Sequence, residues 1–290
     1  MEIYASPLQK ISLPRSGRSI YIKRDDLIHP IVSGNKWRKL KYAIQNMQSR
    51  GLNELATFGG AYSNHMVATA CAGASLGIKT HCFIRGHEPM DSHYLALARM
   101  YGMNLIQVNR EDYLNKEALF KNHFGNQVYF INEGGKSEYG AKGLEDVITE
   151  IDLDNYSLFH ASATGTTALG LAQGIDKSGK NIQLHPIAVL KNQAEQADYL
   201  KDVPHHLNMD YTQGGYAKTN SELIHYCKDF TSSTGILVDP IYTGKALLAL
   251  DSMILNNQIG PNENIVFLHT GGMLGVLSPK ILAQFSNITK

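Results

Sequence analysis

Three cysteines in 290 residues, Cys71, Cys82 and Cys227, are an odd and widely spaced set with no CxxC pair. That excludes a disulfide framework and a thiolate metal or redox motif, and fits buried free thiols in a reducing compartment. An excess of either charge is also missing. The 27 Lys+Arg stand against 26 Asp+Glu, a net +1, so there is no general electrostatic footprint for nucleic acid or an anionic membrane. No apolar run approaches the roughly 18 residues of a bilayer span. Residues 1–5 have neither the basic nor the apolar region of a signal peptide, so a cytoplasmic location is expected. No GxxxxGK[ST] loop, repeat period or low-complexity tract occurs. Among the twelve histidines, His205-His206 and His81 with His87 lack convergent ligand spacing, and no metal is expected.

What is there is a globular composition, 43% hydrophobic and 18% charged, with enough chain for a sizeable core. Short apolar strands are predicted at 55–58, 80–84, 105–108, 128–131, 158–161, 184–190 and 265–269. Helices are predicted at 37–47, from Ser63-Asn64 to Gly77, at 92–101, 115–124 and 143–151, from about Thr167, and at 193–200 and 222–230. Strands alternating with helices of this length imply parallel pairing and helices on both sheet faces. The expected class is α/β, with two open, mostly parallel domains facing a cleft: residues 1–50 with 134–290 as a large domain, and 51–133 as a small one.

Ligands of such folds bind beyond the carboxyl ends of strands. Four turns there are rich in small and hydroxyl residues: Ser33-Gly34-Asn35-Lys36, Gly59 to His65, Ser162 to Thr167, and Thr270-Gly271-Gly272. The segment Ala163-Thr164-Gly165-Thr166-Thr167 follows a strand and opens a helix, so backbone N–H groups and hydroxyls converge on one point, as an anion site requires. Lys36 stands at the expected start of a helix beside Arg38 and Lys39. Neighbouring cations and a helix N-terminus disfavour its ammonium form and make the amine more nucleophilic. An imine-forming amine together with a phosphate cradle is what pyridoxal phosphate needs.

With those residues in view, the chain resembles the 1-aminocyclopropane-1-carboxylate deaminase and D-cysteine desulfhydrase family, pyridoxal phosphate enzymes of the tryptophan-synthase-β-like fold (fold type II). The resemblance rests on Asp25-Asp26 and Ser33–Leu40, Gly59–His65, Ala163–Thr167, Gly215-Tyr216, Asp239–Lys245 and His269–Gly272, in the family's order along nearly the whole chain. It implies that Lys36 carries the cofactor and later moves protons at the substrate. It implies that Asn64 bonds the cofactor's phenolic oxygen, that Ser63, Asn64 and His65 hold the substrate carboxylate, and that Ala163, Thr164, Gly165, Thr166 and Thr167 cradle the phosphate. Tyr216 and Tyr242 would flank the amino acid, Tyr242 near the ring, and either phenol could assist proton transfer. The family's deaminases carry a glutamate where this chain has Thr243 and a leucine where it has Thr270. Threonines at these places resemble the desulfhydrases and leave the pyridine nitrogen a neutral partner. Ser33 and Ala217 depart from the pattern, since glycine is common at both.

The expected activity is therefore β-elimination on a β-substituted amino acid, D-cysteine giving pyruvate, sulfide and ammonia. The alternatives are ring-opening deamination of aminocyclopropanecarboxylate and a catalytically silent ligand-binding relative. The partner expected is a small amino acid, with no nucleic acid or membrane, and the assembly expected is a homodimer.

Overall fold

The computed structural model describes residues 5–86, 91–208 and 211–286; His87 lies outside them. One sheet contains β1 (Leu8–Ser12), β2 (Ser19–Lys23), β7 (Asn155–Ser162), β8 (Asn181–Ala188) and β9 (Ile265–Leu268), in the order β1-β2-β9-β7-β8. The other contains β3 (Glu54–Gly59), β4 (Lys79–Arg85), β5 (Asn104–Val108) and β6 (Tyr129–Phe130), in the order β5-β4-β3-β6. All pairings are parallel except β1 with β2, which is antiparallel. The first sheet thus draws strands from both ends of the chain, and the second is made from one continuous stretch.

The expected strands all form, with ends shifted by a few residues. The alternation did not reveal β1 or β2. In β2 only Ile20, Ile22 and Lys23 are buried, a pattern too short to stand out beside the longer runs. A further helix, α9 (Thr243–Leu255), was also not predicted. It is buried on almost every side, from Thr243 through Asp251, so it carries no apolar stripe for a helical period to reveal.

Helix α1 (Gly34–Ser49) connects the two halves. Its Leu40, Ala43, Ile44 and Met47 share a core with Leu55 of β3 and with Ala68 and Cys71 of α2 (Asn64–Leu76). Its other side meets α5 (Glu138–Thr149) so closely that a Cβ at Gly143 would fall 1.7 Å from the Arg38 carbonyl oxygen. No helix among the described residues is long and apolar enough to cross a membrane. The loops after β3, β7 and β9 and the entry to α1 meet at one cavity between the sheets.

Candidate active site

The entry to α1 is fixed from behind. The Arg38 guanidinium grips Asp25 with Nε to Oδ2 at 2.6 Å and Nη2 to Oδ1 at 2.8 Å, and it pairs with Glu150 at 2.8 Å. Lys23 of β2 reaches the same Glu150 carboxylate at 2.8 Å. Four charged side chains thereby lock β2, α1 and the end of α5 together. In front of this network the Asn35 N–H donates to the Thr270 carbonyl (3.2 Å), so the first turn of α1 rests on the loop after β9. That loop is set by the buried His269. Its Nδ1 accepts from Gly271 N (3.1 Å), which leaves Nε2–H to donate to the Leu237 carbonyl at 2.9 Å.

The cavity has a volume of about 650 Å³. Its wall contains Lys36, Ser63, Asn64, His65, Ala163, Thr164, Gly165, Thr167, Tyr216, Tyr242 and Thr270, which is every expected site residue but one. The exception is Thr166, whose buried side chain lies behind the wall with its hydroxyl 3.3 Å from that of Thr164. Thr243 is not on the wall either. It is fully buried, and its hydroxyl donates to Asp239 Oδ2 at 2.6 Å. Of the two threonines read as partners of a pyridine nitrogen, only Thr270 faces the cavity.

Lys36 Nζ donates to Asn35 Oδ1 (2.9 Å), and Asn35 Nδ2 donates to Thr167 Oγ1 (3.1 Å). One asparagine thus joins the amine to the hydroxyl cradle. Burial brings the Lys36 amine down to about 8, against the opposing charge of Asp239. The cradle is held from outside by Asn192 Nδ2 donating to the Ala163 carbonyl (2.8 Å) and by Ser162 Oγ donating to Gln196 (2.6 Å). Gly165 precedes α6 (Thr166–Ser178) at φ 78, and a Cβ there would lie 2.7 Å from Tyr199 Cδ1. On the opposite wall Ser63 caps α2, accepting from Met66 N at 3.2 Å. The first N–H groups of such a helix have no partner within it and suit a carboxylate.

Lys39 also faces this cavity. It lies one helical turn after Lys36, a spacing that puts both amines on one face of α1 and was legible in the sequence. It is 3% exposed, and among the described residues its Nζ finds only the Gly134 carbonyl, at 3.4 Å. Burial, reinforced by Lys36, pushes its amine well below the ordinary value. His65 has Nε2 3.0 Å from Thr57 Oγ1. Burial above all, with Lys36 and Lys39 beside it, lowers it to about 3 and keeps it neutral.

Ser33 Oγ, Asn64 Oδ1 and His65 Nδ1 are buried on this wall without a partner among the described residues. Leaving such atoms unsatisfied is costly, on the order of 1–3 kcal/mol each. Orphaned polar atoms, an amine with a lowered pKa, a second and buried amine and a turn of small and hydroxyl residues are together what an anionic, aldehyde-bearing cofactor would satisfy, and the residues fit pyridoxal phosphate. Both departures from glycine fall where backbone conformation makes glycine the easy choice, Ser33 at φ 48 and Ala217 at φ 51.

Comparison with known proteins gives the same picture. A family profile described as pyridoxal-phosphate dependent enzyme matches residues 1–271. A D-cysteine desulfhydrase of Salmonella choleraesuis is 30% identical, over 94% of this chain and 93% of its own length. A bifunctional D-cysteine desulfhydrase/1-aminocyclopropane-1-carboxylate deaminase of Arabidopsis thaliana is 29% identical, over 93% of this chain and 77% of its own. A crystal structure of an ACC deaminase homologue superposes with a TM-score of 0.82 at 29% identity, covering 97% of this chain and 94% of that one.

Proposed function

The chain belongs to the pyridoxal-phosphate dependent enzymes, within the aminocyclopropanecarboxylate deaminase and D-cysteine desulfhydrase family, and from that premise we propose that it is a β-elimination lyase. The substrate proposed is D-cysteine, which with one water gives pyruvate, sulfide and ammonia. The observation that carries this reading is that Thr270, a residue with a neutral hydroxyl side chain, lines the cavity, while Thr243 is buried and engaged by Asp239. Among the lining residues the one carboxylate is Glu133, which pairs with Lys116 at 3.3 Å.

Pyridoxal phosphate, when bound, supplies an aldehyde that captures amines and a pyridine ring that draws electrons from the substrate Cα. The chain's own residues do the rest. Lys36 would hold the cofactor covalently, and with its amine brought down to about 8 it is suited to take and return the Cα proton. Thr164, Gly165 and Thr167, backed by the buried Lys39, would hold the phosphate. The N-terminus of α2 and Ser63 would orient the carboxylate. Burial first of all, then Tyr216, Asp239 and Tyr94, push the Tyr242 phenol well above its ordinary value. At neutral pH Tyr242 therefore keeps its proton and would serve as a hydrogen-bond donor to a departing thiolate. Thr270 would offer the cofactor's pyridine nitrogen a neutral hydroxyl rather than a carboxylate, a partner that would favour expulsion of a good leaving group over opening of an unactivated ring.

Ring-opening deamination is the second reading, favoured by the double name of the Arabidopsis relative. A panel of D- and L-β-substituted amino acids and aminocyclopropanecarboxylate, assayed for keto acid, separates the two. D-cysteine is expected to exceed the cyclopropane by two or more decades in kcat/KM, each decade being about 1.4 kcal/mol of barrier. Comparable turnover of both would refute the role given to Thr270, and no turnover at all would leave a silent binder. Lys36→Ala is expected to remove the borohydride-reducible link to the cofactor while the fold persists. A link that survives would place it on another amine. A homodimer in the cytoplasm is the assembly and location proposed, the first to be read by light scattering.

A further inference from the structure

The two phenols at the cavity are carried by unlike pieces of chain. Tyr242 ends the turn before α9, where the Asp239 carboxylate accepts from the N–H groups of Ile241, Tyr242 and Thr243 at 2.8, 2.7 and 3.1 Å. Tyr216 lies on the segment 211–219, which contains no helix or strand. Gln213, Gly214, Gly215 and Ala217 there have φ of 48, 85, 101 and 51. Its own backbone bonds are short-range, Gly215 N to the Thr212 carbonyl (2.9 Å) and Lys218 N to the Gly215 carbonyl (3.3 Å). Tyr216 itself is 53% exposed, yet its ring centroid is 6.3 Å from that of Tyr242. Something outside the segment must hold this conformation.

Lys245, in the first turn of α9, is 1% exposed, and its Nζ donates to the Thr212 carbonyl at 3.0 Å and to the Gly215 carbonyl at 2.5 Å. Among the described residues no carboxylate lies within ion-pair distance of it. A buried ammonium is costly unless its protons are accepted, so these two carbonyls are its compensation, and the attraction works both ways. We propose that Lys245 is a positioning residue for Tyr216: its ammonium ties the 212–215 turn to the helix that begins at Tyr242, and so sets the two phenols opposite each other. Lys245 is not among the residues that line the cavity. Its effect on the reaction passes through the turn, and this part rests on the reading that Tyr216 faces the amino acid.

The test uses holoenzyme in wild-type, Lys245→Met, Lys245→Arg, Tyr216→Phe and Lys245→Met/Tyr216→Phe forms, followed by hydrogen exchange and by kinetics on D-cysteine. Lys245→Met is expected to speed exchange of the 212–218 amides by about tenfold or more, since an untied turn opens locally. The visible absorbance of bound cofactor stays unchanged. Its kcat/KM falls about as far as that of Tyr216→Phe, the double variant loses no more than either, and Lys245→Arg recovers part of the loss. Unchanged exchange, or losses that add, would overturn the proposal. If the wild type turns over no β-substituted amino acid, the functional reading fails, and the exchange arm alone decides the tie. If Lys245→Met does not fold, wild-type exchange decides: protection of the Gly215 and Lys218 amides supports the tie, and exchange at the rate of unstructured chain overturns it.

Discussion

Ser33 shows how one residue can sit against its own backbone. At φ 48 and ψ 147 it occupies a region that side chains other than glycine's rarely adopt. It persists because the next residues are clamped, Asn35 to Thr270 in front and Arg38 to Asp25 and Glu150 behind. Strain of this kind is worth about 1–3 kcal/mol, less the entropy that glycine loses on folding. Ser33→Gly is therefore expected to stabilise the protein by about 1 kcal/mol, read as a rise in the denaturant midpoint at unchanged slope. A lower midpoint would mean that the Ser33 hydroxyl makes a bond worth more than the strain. That the position prefers glycine could be suspected from the family pattern; that this chain tolerates serine there depends on neighbours more than a hundred residues away.

Among the elements, the turn from β7 into α6 is where sequence and structure agree best. Small and hydroxyl residues between a strand and a helix led to the expectation of an anion cradle; Ala163, Thr164, Gly165 and Thr167 do line the cavity, and that they hold a phosphate is the proposal. Gly165 is required there twice, by φ 78 and by the Tyr199 ring 2.7 Å from where a Cβ would stand. Gly165→Val is expected to weaken cofactor binding by at least about tenfold, or 1.4 kcal/mol. The shift in unfolding midpoint of the apoprotein should be smaller, because the Tyr199 ring is only half-buried and can yield. Equal cofactor affinity in the variant, measured by titration of the apoprotein, would move the phosphate elsewhere. Helix α9 shows the opposite case. Its sequence Thr-Gly-Lys-Ala-Leu-Leu-Ala-Leu has no polar face, and only its burial between neighbours makes it recognisable.

For the molecule as a whole, the network of Asp25, Arg38, Glu150 and Lys23 joins parts of the chain at both ends of the proposed large domain, residues 1–50 and 134–290. Burial alone would raise the Glu150 carboxyl, but the hydrogen bonds and charges of Arg38 and Lys23 outweigh it and hold the group down to about 2, against 4.5 ordinarily. As pH falls, the unfolded chain takes up this proton first. The stabilisation is therefore complete above about 4.5 and is lost as pH falls toward about 2. Glu150→Gln is expected to be less stable than wild type at pH 7, by on the order of 2 kcal/mol, with the gap closing in acid. Urea titrations at a series of pH values measure it, and a gap independent of pH would show that Glu150 acts by shape rather than by charge.

The sequence by itself determined the α/β class, the run of strands and helices from β3 to β8, and the residue types at the cavity. These follow from local preference and from period, which each segment carries within itself. It also placed Lys36 at a helix start, since the glycine, asparagine and cations around it are contiguous. Only the tertiary structure decided that Thr270 lines the cavity while Thr243 turns to Asp239, that Thr166 lies behind its neighbours, and that Lys39 and Lys245 are buried amines whose close acceptors among the described residues are carbonyls. Each depends on which way a side chain points when segments distant in the chain close around it. Packing sets that direction, and no local pattern records it.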